Sequence, residues 1–432
     1  MTKKIFIQSI GTFLFVLLNL TESGLASSGP PRRRLPNPVT NPPAKRVKPQ
    51  TQPTLGPSKN LGNKSLTGSV SEGFYNNADG SPVLNLLDSA TQSTDSIDIE
   101  IYTMQDPAVR ASLRQALARG VRVRIIQEPS PLGTSCRVFS GSGGNADCID
   151  MQNLVSEVNN QKNGSKYIPF NTSALCGVPG KVCFEHGKLV IVRSKNIQTA
   201  MLSTGNLDAT NLCDKAANPL RCNRDYSYVI SNPQLVGALE SIFESDFKGV
   251  AYDVSALIPN PINQSLTVSP FSLQPLVDFI SSATKTIEIE NQYLKEPTIN
   301  AALTAAATRK IDVHVTVASI CAFGAPKPPE AAQWTATFQK FENAGIHVRI
   351  FDKQIQINSK PGYLHAKAIL VDGKRAWVGS VNGSAEATSN NREFGIFFED
   401  PAQVRALESI ITSDENNPDG ETWQESLKCT KG

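Results

Sequence analysis

The chain contains two copies of one unit, and this restricts its fold more than any other feature. The segment "SIDIEIY" (96–102) is matched 190 residues later by "TIEIENQ" (286–292), and the match runs on without a gap. Asp106-Pro107 meets Glu296-Pro297, Val109 meets Ile299 and Leu113 meets Leu303. Val121, Val123 and Ile125 meet Ile311, Val313 and Val315. Each copy reads as strand, helix, strand. The first strand alternates apolar and polar residues, and the helix opens with an acid and a proline. Gly120 marks the helix end in the first copy. A length of 432 residues accommodates two domains or one large pseudo-symmetric one.

A second set of matches carries chemistry. "YLHAKAILVDGKRAWVGSVNGS" (363–384) holds His365, Lys367, Asp372, Ser380 and Asn382. Alone, a His-x-Lys in a strand is ordinarily a satisfied histidine in a hairpin. Here "FEHGKLVIVRSKNIQTAMLSTGNLD" (184–208) supplies a counterpart, with His186, Lys188, Thr204 and Asn206. "NRDYSYVI" (223–230) then matches "NREFGIFF" (391–398), which sets Asp225 opposite Glu393. Two of the four histidines therefore occupy corresponding places. The other two, His314 and His347, read as surface or second-face residues of strands.

The first copy is longer. Glu100 and His186 are 86 residues apart, Glu290 and His365 only 75. Six of the eight cysteines (Cys136, Cys148, Cys176, Cys183, Cys213 and Cys222) fall in this expanded half; Cys321 and Cys429 do not. Pairing of sequence neighbours is the simplest scheme for the six, and it reads as surface loops stapled by disulfides, placed to rim a substrate entrance. There is no Cys-x-x-Cys pair, and neither a metal site nor a cofactor is expected.

His-x-Lys on a strand puts both side chains on one face, about 7 Å apart. A lysine ammonium suits a phosphate oxygen. Two such sets would surround one phosphate with Lys188, Lys367, Asn206, Asn382, Thr204 and Ser380. One histidine can then attack phosphorus, while the other protonates the departing alcohol and later activates water. Each imidazole needs a carboxylate to fix its tautomer. Asp225 and Glu393 are the candidates, and Asp225 is expected to serve His186. Lysines neutralise the developing charge, so no metal is required. The residues alone leave open which histidine attacks.

His365-x-Lys367-x4-Asp372 followed by Gly379-Ser380-x-Asn382 resembles the signature of the phospholipase D superfamily, over about residues 80–410. The first motif departs from it: Arg193 stands at the place of the acid, Ser203 precedes Thr204, and the spacing from His to Asn is three residues longer. The resemblance implies an α/β fold of two pseudo-symmetric lobes, each a mixed sheet flanked by helices, with one active site at their interface. It also implies a phosphohistidine intermediate, with His186 as nucleophile and His365 as acid. Asp372 is assigned a structural part. Position 193 lies at the far end of its strand, over roughly 20 Å along the chain from His186, so the arginine is expected not to disable the site.

The superfamily includes phospholipases, nucleases and phosphatidyltransferases. "IEIENQYL" (287–294) resembles the strand before the second motif in phospholipases D. Charge bears on the substrate too. The chain has 42 basic and 39 acidic residues, but nine of the basic ones precede residue 61, leaving 33 basic against 38 acidic in the body. Such a body is not an obvious polyanion binder. The expected substrate is a phospholipid, its head-group ester hydrolysed, with transphosphatidylation as a companion reaction. A secreted nuclease is the alternative, and a non-catalytic binding protein ranks below it. Cardiolipin synthases usually carry membrane helices, and none is legible here.

Residues 1–26 read as a signal peptide, with Lys3 and Lys4 before an apolar run of about sixteen residues, short for a membrane span. Residues 27–60 read as a proline-rich basic linker able to meet an anionic membrane. The lobes are expected over 61–250 and 251–432, the active site complete in one chain, and the location secreted or periplasmic.

Overall fold

The computed structural model describes residues 65–66, 70–141, 144–178, 180–195, 197–214, 217–258 and 264–429. The expected signal peptide and linker lie outside these. The body is built on two seven-stranded mixed sheets of the same topology. The first comprises β1 (Gly73–Asn76), β2 (Ser96–Ile101), β3 (Arg122–Gln127), β4 (Lys166–Pro169), β5 (Lys188–Ser194), β6 (Ile197–Ser203) and β7 (Tyr226–Ile230). The second comprises β8 (Leu266–Ser269), β9 (Thr286–Asn291), β10 (Asp312–Ala318), β11 (His347–Phe351), β12 (Lys367–Val371), β13 (Arg375–Gly379) and β14 (Glu393–Phe398). The spatial orders are β1-β7-β6-β5-β2-β3-β4 and β8-β14-β13-β12-β9-β10-β11. In each sheet the last three strands are parallel and the remaining pairings antiparallel.

The strand–helix–strand reading holds in both copies, through α1 (Pro107–Ala118) and α3 (Pro297–Thr308). Asp106 caps α1 by accepting from the N–H groups of Ala108 and Val109, and Glu296 caps α3 by accepting from that of Thr298. Gly120 follows α1 with φ at +83°, and the matching Lys310 follows α3 at +69°. Two further helices, α2 (Pro233–Lys248) and α4 (Pro401–Glu415), follow β7 and β14 and are capped by Asn232 and Asp400.

The alternation in β2 does not separate core from solvent, because all six of its residues are buried. Its polar face carries ion pairs: Asp98 accepts a two-pronged contact from Arg124 (2.7 and 2.8 Å). The reason lies in the core. Two apolar clusters each fill one outer sheet face, but a third takes Leu189, Tyr226 and Phe243 from the first copy and Leu364, Phe394 and Leu407 from the second. The sheets therefore share a core, and their facing sides are closed to water. Disulfides join Cys136 to Cys148, Cys176 to Cys183, Cys213 to Cys222 and Cys321 to Cys429.

Candidate active site

Two short parallel pairings between the copies build the site. The chain entering the first motif pairs with the second copy: His186 N–H donates to Arg392 O (2.9 Å), and Arg392 N–H donates to Phe184 O (3.0 Å). The chain entering the second motif does the reverse. Lys360–Leu364 runs parallel to Cys222–Arg224, and His365 N–H donates to Arg224 O (3.2 Å). Residue 225 follows Arg224 and residue 393 follows Arg392, so each acid is delivered beside the histidine of the other copy.

The carboxylates are accordingly crossed. His186 Nδ1 lies 2.8 Å from Glu393 Oε2, and His365 Nδ1 lies 2.9 Å from Asp225 Oδ1. This corrects the expectation that Asp225 serves His186. Repeat equivalence identified the acids, but the exchanged strands determine which histidine each one meets. With Nδ1 engaged, Nε2 of each ring is left for chemistry. Gly205 is required here, because a Cβ on it would approach Asp225 Cγ to 2.6 Å.

Lys188 and Lys367 are almost wholly buried. Each ammonium donates to the carbonyl of the histidine two residues before it. Lys367 Nζ also lies 3.5 Å from Thr204 O of the other copy. Burial pushes Lys188 down to about 8 and Lys367 down to about 7. Burial also holds the His186 imidazole well below its ordinary value, with Lys188 and Lys367 adding to the effect, and lowers His365. It raises the Glu393 carboxyl to about 8. Both shifts across the His186–Glu393 pair favour one shared proton and an uncharged imidazole, the form that can act as a nucleophile.

Asn206 and Asn382 each hold a buried side-chain oxygen without a partner; the amide nitrogen of each, not that oxygen, is the group able to donate to a phosphate. Thr204 and Ser380, expected to bind phosphate, are engaged elsewhere. The Thr204 hydroxyl donates to Asp225 Oδ1 (2.6 Å) and accepts from Tyr226 N–H (2.9 Å). The Ser380 hydroxyl donates to Phe394 O (3.3 Å) and accepts from Phe394 N–H (3.0 Å). A hydroxyl has one proton to give, so these two brace the strands that carry the acids.

Asp372 lies away from the histidines. It accepts from the N–H groups of Thr284, Lys285 and Thr286 at 2.7–3.1 Å and so ties down the start of β9. Arg193, its counterpart, faces Ser96 in register and pairs with Glu240 and with Asp98 (3.3 Å).

Several supporting residues escaped the sequence reading. Arg392 holds Asp246 of α2 (2.8 and 3.0 Å), and Arg224 holds Asp414 of α4 (2.6 and 2.7 Å). Each pair crosses between copies beside an acid of the site. The signal was present, since Arg224 and Asp246 each recur 168 residues later, the same offset that relates Asp225 to Glu393. Tyr102 also went unnoticed. Its ring lies 5.0 Å from that of His186, and Lys188 Nζ sits 5.5 Å above it.

Fold and site together define a duplicated α/β protein in which each copy brings a histidine and a lysine to one centre and supplies the acid for the other. The chain belongs to the phospholipase D superfamily: the model of the cardiolipin synthase, PLD-like domain matches residues 83–247 and 276–414. It is 28% identical over 200 residues to the probable cardiolipin synthase YwiE of Bacillus subtilis, covering 42% of this chain and 37% of that protein. It is 28% identical over 245 residues to cardiolipin synthase A of Pseudomonas entomophila, covering 53% and 47%. The matches thus span less than half of these relatives. The phosphatidylserine synthase of Haemophilus influenzae shares the fold, with a TM-score of 0.53 and 14% identity over 83% of this chain and 94% of that one.

Proposed function

We propose that the protein cleaves the head-group ester of a phospholipid through a phosphohistidine, passing the phosphatidyl group to water or to an alcohol. The crossed pairing of His186 with Glu393 and His365 with Asp225 carries this reading. In the first step the Nε2 lone pair of His186 attacks phosphorus. The P–O bond to the head-group alcohol breaks, and that oxygen takes the Nε2 proton of His365. In the second step His365 Nε2 takes a proton from water, whose oxygen attacks phosphorus as the P–N bond breaks. An alcohol in place of water gives a new phosphodiester. His365 must carry its second proton when the first step begins, and the bound phosphodiester anion favours that charged form. Lys188 and Lys367 balance the charge that builds on the phosphoryl oxygens.

Two observations support a lipid over a nucleic acid. The body carries more acids than bases, 38 against 33. A cavity of about 310 Å³ beside the strand that leads to His365 is lined by Leu220, Phe351 and Tyr363, with Arg221 and Lys353 among its walls. This mix suits an acyl chain beside an anionic head group. The expectation against cardiolipin synthesis rested on missing membrane helices, and among the described residues no helix is long and apolar enough to cross a membrane. Yet the curated relatives described above are cardiolipin synthases, so transfer to an alcohol stands beside hydrolysis in the proposal. Four disulfides and the apolar N-terminal run support action outside the cytoplasm.

The test is the purified chain on phosphatidylcholine and phosphatidylglycerol vesicles, with and without added glycerol, and on single- and double-stranded DNA, with chelator present. Release of head group, or its exchange for glycerol, is the expected result. DNA cleavage without either would replace the proposal with the nuclease.

A further inference from the structure

The two histidines outside the catalytic centre stand together at the opposite end of the second sheet. His314 on β10 and His347 on β11 are register partners on adjacent parallel strands, and their rings stack with centroids 4.6 Å apart. Asp312 joins them from the start of β10. Its Oδ1 lies 3.1 Å from His314 Nε2 and 3.6 Å from His347 Nε2. One ligand atom from each of the three falls within 4.8 Å of the others. Two ligands held about 2.1 Å from a tetrahedral ion sit roughly 3.4 Å from each other, close to both distances seen here.

The surroundings fit as well. Glu415 of α4 contacts His314 Nδ1, the outer contact that fixes the ring of a metal-bound histidine and turns Nε2 toward the ion. A surface concavity of about 580 Å³, lined in part by His347, Glu415 and Asn416, opens beside the cluster. Asp312 and His347 are both exposed, so an ion can enter without opening the fold.

We propose that Asp312, His314 and His347 form a binding site for one borderline divalent cation of the zinc, cobalt or nickel type. Two imidazoles and one carboxylate favour such ions over magnesium or calcium, which take oxygen ligands. Binding exchanges the Nε2 proton of His314 for the ion and ties edge strand β11 to β10. The catalytic lysine of this copy, Lys367, pairs with Asn291 at the far end of β9. The ion is therefore structural, and turnover does not depend on it.

The test is titration of the metal-stripped full chain with Zn(II) near neutral pH, followed by calorimetry and thermal unfolding. One ion per chain with micromolar affinity and a rise in Tm are expected. His347→Ala and Asp312→Asn should each weaken binding by about tenfold or more. Both should leave lipid turnover unchanged and, because each replaced side chain is exposed, should lower the metal-free Tm only slightly through the lost contact with His314. Absence of saturable one-to-one binding in the micromolar range would overturn the proposal. Equal affinity in the wild type and both variants would do so too, because it would place the ion elsewhere.

Discussion

The two copies share one strand order but are stabilised differently. The first has three disulfides within its long connections, and one of these, Cys176–Cys183, closes three residues before His186. The second is compact, with Asp372 pinning the start of β9 by hydrogen bonds to three consecutive N–H groups. Its only bridge among the described residues, Cys321–Cys429, links a loop to the chain's end. At the place of Asp372 the first copy has Arg193, of opposite charge, which pairs with Asp98 and Glu240. The chemical side chains are nevertheless supplied in near symmetry. A duplicated site thus tolerates change wherever a residue only steadies a strand. It keeps His, Lys, Asn and the crossed acid, because each copy completes the other.

The strongest test of this symmetry removes one histidine at a time. His186→Ala and His365→Ala should each lower turnover by roughly 10²–10⁴ or more, the range for loss of a nucleophile or general acid. They should fail differently. With a p-nitrophenyl phosphodiester, whose leaving group needs no proton, the His365→Ala enzyme should accumulate a covalent phosphoryl adduct and the His186→Ala enzyme none. Adduct in the His186→Ala enzyme alone would exchange the roles of the two copies. Near wild-type turnover in either folded variant would end the shared-site model.

The crossed acids come next, at roughly 10²-fold or somewhat less. Glu393→Gln should slow formation of the adduct, because Glu393 positions the attacking His186. With the p-nitrophenyl substrate, whose leaving group needs no proton, Asp225→Asn should slow only its breakdown, because Asp225 positions His365. Loss of fold would affect both steps alike, so the separation reports positioning. The opposite assignment would mean that each acid serves the histidine of its own copy, contrary to the 2.8 and 2.9 Å contacts.

A smaller effect concerns the buried lysines. In the empty site burial holds Lys188 at about 8 and Lys367 at about 7. A bound oxyanion favours their protonated forms, so binding must take up protons above those values. Affinity for inorganic phosphate should therefore fall as pH rises past about 7, by up to about tenfold per unit per neutral lysine. Calorimetry in buffers of different ionisation enthalpy measures the proton uptake. Lys367→Met should bind more weakly and with a shallower dependence. An affinity flat from pH 7 to 9 would show the lysines already charged in the empty site.

Much of this was legible from sequence because it is local. The gapless match gave β2, α1 and β3 and their counterparts, and the disulfides in the first copy follow neighbouring cysteines. The site's membership was legible from coincidence of residue types at corresponding places. The crossing was not. It depends on His186 pairing with Arg392 and His365 with Arg224, contacts between distant segments that no local period records. For the same reason the alternation in β2 did not reveal that its polar face is buried, with Asp98 paired to Arg124. Thr204 and Ser380 were legible by type but not by direction, because composition names a hydroxyl and not the partners it meets, here Asp225 and Phe394.

The last comparison is the position where the copies carry opposite charge. Arg193 lies at the far end of β5 from Lys188, and its ion pairs are with Asp98 and Glu240, not with any residue of the site. Changing it should leave turnover within about twofold. Stability is a different matter. The Arg193 side chain is 27% exposed, Asp98 1% and Glu240 16%, so these contacts are less screened than surface pairs worth under about 1 kcal/mol. Arg193→Gln keeps Asp98 paired with Arg124 and should cost about 1 kcal/mol or slightly more. Arg193→Asp restores the family's acid but sets a third carboxylate beside Asp98 and Glu240, and it should lower Tm further than Gln does. It cannot reproduce the clamp of Asp372, because the start of β2 is already organised by Asp95, which accepts from the N–H groups of Thr91 and Gln92. Thermal unfolding and turnover measured on both variants decide the matter. A hundredfold gain in turnover with Arg193→Asp would mean that the first copy is a weakened one after all, and that the acid at this place acts on the histidine through the length of its strand.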